Sequence, residues 1–276
     1  MREQRIDNRA VHTGSLILVD AGHPFRQPAA EQLLPVGEGA GVLLERRAAL
    51  LLDRLMESFG GWRGILPVSG WRSREEQQAI WDDTLRREGE AFTRQYVALP
   101  GHSEHQTGLA IDLGERRERV DFIRPAFPQG GVCGEFRRRA ASHGFIERYP
   151  AGKEAVTGIA YEPWHFRYVG APHALMMAEW GCTLEEYLDQ LRPRRWGEDP
   201  LRFRREGWDV AIAYLAAAPG GVTAFEVEEA RPWCISGNNQ DGFILTQWGP
   251  TGRAAPRPSP AGARAGRSPA PAGRHL

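Results

Sequence analysis

Cysteine is scarce in this 276-residue sequence: only Cys133, Cys182 and Cys234 occur, and no two share a CxxC spacing. An odd, scattered set argues against a disulfide framework and against a thiolate zinc site, so reduced and mostly buried thiols are expected. Long apolar runs are also missing, because charge breaks each one well before the ~20 residues that a membrane-spanning helix needs. Nor do the first residues follow a signal-peptide pattern: the apolar run Ser15–Val19 is strand-length and leads into Asp20, not into a small-residue cleavage site. A cytoplasmic protein is the expectation from these absences. Net charge is absent too, with 35 basic and 35 acidic residues. The balance is uneven, since Thr251–Leu276 carries five arginines (Arg253, Arg257, Arg264, Arg267 and Arg274) and no acid. Setting those five aside leaves 30 basic against 35 acidic residues. A mildly acidic body does not suit nucleic-acid binding, which needs a basic face to neutralise phosphates.

What is present divides into three zones. Residues 1–192 carry dense, mixed signals: a strand at Ser15–Val19, then an amphipathic helix over Leu43–Phe59, where Leu44, Ala48, Leu51, Leu52 and Leu55 recur at helical spacing and Gly60-Gly61 stops it. Ile65–Val68 reads as extended, Ser73 as the N-cap of a helix reaching Arg87, Phe136–His143 as a helix, and Ile159–Val169 as extended. Thr183 caps a last helix through Leu191. Residues 193–250 read as a small α+β appendage, with a helix over Asp209–Ala217, strands at Val222–Val227 and Trp233–Ser236, a turn at Gly237–Gly242 and a returning strand from Phe243 to Trp248. Residues 251–276, rich in Pro, Ala, Gly and Arg, are too poor in apolar residues to fold and are expected to be disordered. No internal repeat stands out.

The chemistry concentrates in two segments. In Gly101–Asp112, His105 and Asp112 are seven apart; on a straight strand that odd separation points them to opposite faces, so a shared metal requires a bend, most easily at Gly108. Beyond it, Leu109, Ile111 and Leu113 alternate with Ala110 and Asp112 as in a half-buried strand. In Tyr161–Val169, Pro163 excludes a helix interior, so Glu162 and His165 belong to a turn entering a strand. Two histidines and a carboxylate form a common catalytic zinc set with an open fourth position, and a neighbouring glutamate can act as general base. Each piece alone also fits a structural role: Glu162 could pair with Arg167, Trp164 could be core, and Arg72 could pair with an acid at a helix start.

The run Ser103-x-His105-x-x-Gly108-x-Ala110-x-Asp112 followed by Glu162-x-x-His165 resembles the signature of the zinc D-alanyl-D-alanine peptidases of the VanY, VanX and VanXY type. Ser69-Gly70-Trp71-Arg72-Ser73 with Gln77, Phe92–Ala98, Gly144–Pro150 and Thr157–Gly170 also resemble that family, so the likeness runs in order over roughly Gly14–Leu191. It implies an α+β fold: a compact domain in which a small antiparallel sheet carries the zinc site and helices pack behind it. It implies one Zn2+ per chain on His105, Asp112 and His165, Glu162 as catalytic base, Arg72 as transition-state stabiliser, and Ser103 and Gln77 as substrate-binding residues. The implied partners are peptidoglycan precursor peptides ending in D-Ala-D-Ala, with no nucleic acid and no membrane span; the oligomeric state is left open. Carboxypeptidase activity on the precursor is the leading expectation. The alternatives are a D,D-dipeptidase acting on free D-Ala-D-Ala and, in another class, a non-catalytic zinc-containing wall-binding module. Of the remaining histidines, His102 is expected to be exposed, His23 and His173 to lie in turns or at the surface, and His143 to complement a helix C-terminus.

Overall fold

The computed structural model describes residues 1–27, 32–37, 41–205 and 207–250; the tail expected to be disordered lies outside the described residues. Strands β1 (Arg2–Asp7), β2 (Leu33–Pro35) and β3 (Leu43–Glu45) precede helix α1 (Arg46–Glu57). Then come β4 (Ile65–Ser69), α2 (Arg74–Glu88), α3 (Glu90–Tyr96), β5 (Ala110–Glu115), α4 (Gly131–Ala140) and β6 (Phe145–Glu147). Next follow α5 (Glu154–Thr157), β7 (His165–Tyr168), α6 (Ala171–Trp180) and α7 (Leu184–Leu191). The remainder is strand: β8 (Leu201–Arg205), β9 (Trp208–Ala216), β10 (Val222–Val227), β11 (Trp233–Gly237) and β12 (Gly242–Pro250). No helix among the described residues is long and apolar enough to cross a membrane.

Four strands form an antiparallel sheet in the order β4-β5-β7-β6. Alternation along β5 and β7 separates its two faces. Ile111, Leu113, Phe166 and Tyr168 enter a core with Leu52, Leu55 and Met56 of α1 and Phe136 of α4. Asp112, His165 and Arg167 therefore point to the other face, where Asp112 stands directly opposite His165 in the ladder. The α+β architecture expected from the sequence is thus present, with helices behind the sheet and the chemistry in front.

Local signals placed the helices well. Ser73 caps α2 through a reciprocal box in which Glu76 N donates to Ser73 Oγ at 3.1 Å and Ser73 N donates to Glu76 Oε2 at 2.7 Å. Thr183 and Glu186 form the same box at α7. The helix expected from Leu43 instead begins at Arg46, because Leu43–Glu45 pair with Leu33–Pro35 as a hairpin.

Two readings are corrected. Asp209–Ala217 is not a helix but most of β9, the strand between β12 and β8. Val210, Ile212 and Tyr214 alternate with smaller residues, and pairing on both edges outweighs the helical preference of its alanines. Ser15–Val19 forms no strand; Leu16, Ile17, Leu18 and Val19 are all buried in an irregular segment. Its backbone is satisfied from elsewhere: Arg167 donates to the Ser15 and Ile17 carbonyls, and Asn239 Nδ2 to the Leu18 carbonyl at 2.7 Å.

A second core spans both sides of Arg192, joining Leu16, Leu18, Met177, Tyr187 and Leu188 to Ile212, Tyr214 and Ile244. His173 is buried here and not at the surface, with Tyr187 Oη at 2.8 Å from Nδ1, and burial pushes its pKa down to about 3. β1 pairs antiparallel with β10. The turn between β11 and β12 presents Asn239, which adopts φ 60 and donates from its amide to the Leu18 and Pro24 carbonyls. The three cysteines are free, but only Cys133 is fully buried; Cys182 is half-buried and Cys234 exposed.

Gly108 lies at φ +72, and a Cβ there would meet the Glu45 nitrogen at 3.0 Å. Gly108→Ala should therefore lower unfolding free energy in urea by at least ~1–2 kcal/mol, the cost of a left-handed L-residue. Unchanged stability would remove the bend as a constraint.

Candidate metal centre

His105, Asp112 and His165 reach one point by three routes. A 3-10 turn over Glu104–Thr107, ended by Gly108, swings His105 to the front face before β5 begins. Asp112 is at the middle of β5, and His165 opens β7 after a turn in which His165 N donates to the Glu162 carbonyl at 3.2 Å. That turn, started at Pro163, also brings Glu162 alongside. Each side chain offers one potential ligand atom, these atoms lie within 4.8 Å of one another, and all three side chains are buried.

The donor geometry asks for a cation. His105 Nδ1 lies 2.6 Å from the Gly70 carbonyl, so it carries the proton and Nε2 keeps its lone pair. That lone pair faces Asp112 Oδ2 at 3.2 Å. Burial, followed by the Arg72 charge, pushes His105 down to about 4, so a proton does not resolve the clash of lone pairs at neutral pH. His165 Nδ1 lies 2.9 Å from Asp112 Oδ1 on the other side. Two imidazoles and a carboxylate at this separation match the ligand set and open geometry of a catalytic zinc site.

Glu162 Oε2 is 3.8 Å from His165 Nδ1 and makes no ion pair with Arg167. Burial pushes its pKa up to about 8. Burial works against the charge on His165, yet Asp112 and Glu104 hold that ring's pKa up at about 9. Arg72 Nη2 donates to Asp112 Oδ2 at 3.1 Å, and its other nitrogens are held by Ser69 Oγ at 2.9 Å and Gln77 Oε1 at 3.0 Å. Its partner is thus the site carboxylate, not an acid of the α2 start. Gln77 Nε2 donates to the Ala98 carbonyl at 2.8 Å, so both ends of that amide are engaged in supporting Arg72. Ser103 is buried on the wall of the same cleft, a cavity of about 550 Å³ that also includes Tyr96, Tyr149 and Trp164. His102 is half-buried, its Nδ1 at 2.7 Å from the Asp20 carbonyl, and does not line the cleft.

Sequence reasoning passed over Glu104. Its carboxylate is buried behind His165, where Arg148 and Arg167, both fully buried, donate to Oε1 at 2.8 and 2.7 Å. The only signal was its place beside His105, an acid in a segment that folds inward.

The model of the VanY family, described as D-alanyl-D-alanine carboxypeptidase, matches residues 43–171. The bifunctional D-Ala-D-Ala dipeptidase and D-Ala-D-Ala carboxypeptidase VanXYC of Enterococcus gallinarum is 41% identical over 181 residues, which is 64% of this chain and 95% of that protein. The structure of the vancomycin resistance D,D-dipeptidase VanXYg, in complex with a D-Ala-D-Ala phosphinate analog, superposes with a TM-score of 0.86 at 43% identity, covering 90% of this chain and 98% of that one. A mutant of the vancomycin resistance D,D-pentapeptidase VanY in complex with Zn(II) gives a TM-score of 0.53 at 31% identity, covering 63% of this chain and 98% of that one.

His105→Ala is expected to abolish stoichiometric metal in the purified protein, read by elemental analysis, while the far-UV spectrum stays native. Full metal content in that variant would take His105 out of the centre.

Proposed function

The chain belongs to the VanY family of D-alanyl-D-alanine carboxypeptidases, and from that premise we propose how its residues hydrolyse the terminal D-Ala-D-Ala bond of peptidoglycan precursors. The observation that carries the reading is the buried set of His105, Asp112 and His165 with Glu162 beside it. His105 Nε2, His165 Nδ1 and Asp112 would hold one zinc ion per chain, which would supply a Lewis acid to bring the pKa of water toward ~7 and polarise an amide carbonyl.

Glu162 is the base: its carboxylate takes the proton of the attacking water and returns it to the nitrogen of the leaving D-Ala. As the carbonyl carbon becomes tetrahedral, negative charge gathers on its oxygen. The Arg72 guanidinium, which borders the cleft and has two of its nitrogens held by Ser69 and Gln77, is the group that stabilises this charge. Gln77 then acts through Arg72. The Ser103 hydroxyl, on the cleft wall, is the donor for the substrate's terminal carboxylate.

Cleavage of free D-Ala-D-Ala by the same centre is a second reading, favoured by the bifunctional nature of the 41%-identical relative. A wall-binding module without catalysis is disfavoured, since Glu162 and Arg72 both border the cleft.

The direct test is D-Ala release from UDP-MurNAc-pentapeptide, D-Ala-D-Ala and an L,D control peptide, with and without chelator. Release from the pentapeptide that chelation stops, and none from the control, is expected; chelator-resistant release would overturn the metal mechanism. Glu162→Ala should keep its zinc and lose hydrolysis. Arg72→Ala should reduce kcat by about 10²–10³, the effect of removing one donor to a developing oxyanion. A variant at Arg72 with wild-type kcat would assign that residue to structure alone.

A further inference from the structure

We propose that Glu104 is a positioning residue for the metal centre: its Oε2 accepts the Nε2 proton of His165 and so keeps the Nδ1 lone pair of that ring turned toward Asp112. The inference rests on reading His165 as a metal ligand. Glu104 Oε2 and His165 Nε2 face each other at 3.5 Å in the interior. Neither atom makes another hydrogen bond among the described residues.

Metal binding takes one of the ring's two protons and leaves the other on one of two nitrogens. On Nε2 the proton points at Glu104, and Nδ1 is free to ligate. On Nδ1 it points at Asp112 Oδ1, 2.9 Å away, and the ring cannot bind a metal through that atom. Both tautomers thus have a carboxylate to donate to; with a metal on Nδ1, Glu104 is the acceptor that holds the remaining proton on Nε2, as carboxylates behind metal-bound histidines do.

The orientation of Glu104 is itself fixed. Oε1 accepts from Arg148 Nε and Arg167 Nη1. Arg148 is in turn gripped by both oxygens of Glu185, at 3.0 and 2.6 Å, and Arg167 by the Ser15 and Ile17 carbonyls. This makes the isosteric change informative. In Glu104→Gln the amide oxygen must stay on the two arginines, because an NH2 group there would face donors. The amide NH2 is then forced toward His165 Nε2, which it can satisfy only if that nitrogen is the acceptor. The substitution thus inverts the tautomer that Glu104 selects.

The experiment measures zinc affinity by competition with a chromophoric chelator, and the protonation of His165 by long-range 1H–15N correlation. In the zinc-loaded wild type, His165 should carry its proton on Nε2. Glu104→Gln should bind zinc about 10–100-fold more weakly, the range for lost outer partners of metal ligands, with the apo ring protonated on Nδ1. Glu104→Asp keeps the charge for Arg148 and Arg167 but withdraws Oε2, so it should also weaken zinc binding, and it serves if the Gln variant does not fold. Glu185→Gln perturbs Arg148 from the far side and should leave zinc affinity and tautomer unchanged. Wild-type affinity in a folded Glu104 variant, equal loss in Glu185→Gln, or a wild-type His165 ring without an Nε2 proton would each overturn the proposal. Zinc retained by His165→Ala would instead overturn the metal-site reading, and this inference with it.

Discussion

Two fully buried arginines set the terms on which the rest of this molecule is built. Taking a guanidinium out of water costs several kcal/mol unless an opposite charge and enough acceptors come with it. Arg167 and Arg148 meet that demand together. They share Glu104; Glu185 of α7 takes the remaining face of Arg148, and backbone carbonyls of the N-terminal segment take that of Arg167. Burial works against the charge on Glu104, but the two arginines prevail and hold its carboxyl well below the usual range. One charge cluster therefore joins the catalytic sheet, α7 and the irregular N-terminal run, directly behind a candidate ligand.

The front of the sheet uses the same physics with opposite results on two neighbouring carboxyls. Asp112 lies within 3.2 Å of Arg72, His105 and His165, and its carboxyl is held well below the usual range although burial opposes the charge. Glu162 lacks so close a partner, and burial raises it. The candidate ligand Asp112 and the candidate base Glu162 thus differ in their hold on a proton within one cleft because their surroundings push them apart. The cross-strand register of β5 and β7 is what puts Asp112 between the two histidines.

Features encoded within a few residues were legible from the sequence. The Ser73 and Thr183 caps, the bend at Gly108 and the turn at Pro163 are local decisions of the backbone. The metal-ligand reading of His105, Asp112 and His165 came only with the family likeness, because spacing alone left them open to structural roles. What escaped was set by partners far along the chain. Glu104 and Arg167 are 63 residues apart, and nothing near either announces the pairing. Ser15–Val19 has the composition of a strand, but an arginine side chain and an asparagine amide donate to its carbonyls in place of a neighbouring strand. β9 reads as helical by its alanines until its two flanking strands are known. His173 looked superficial beside Pro172, yet it is covered by Tyr187 and Thr246 from two different segments.

Asn239 bears on the order of assembly. It and β10 hold the N-terminal segment from more than 200 residues downstream. A chain emerging from the ribosome exposes Leu16–Val19 long before these partners exist, and contacts of such sequence separation form slowly. Arg167 meets the Ser15 and Ile17 carbonyls in their final places only when that segment is anchored. The support behind His165 is therefore completed late, so a nascent chain carries its candidate metal-binding side chains well before it carries a finished site.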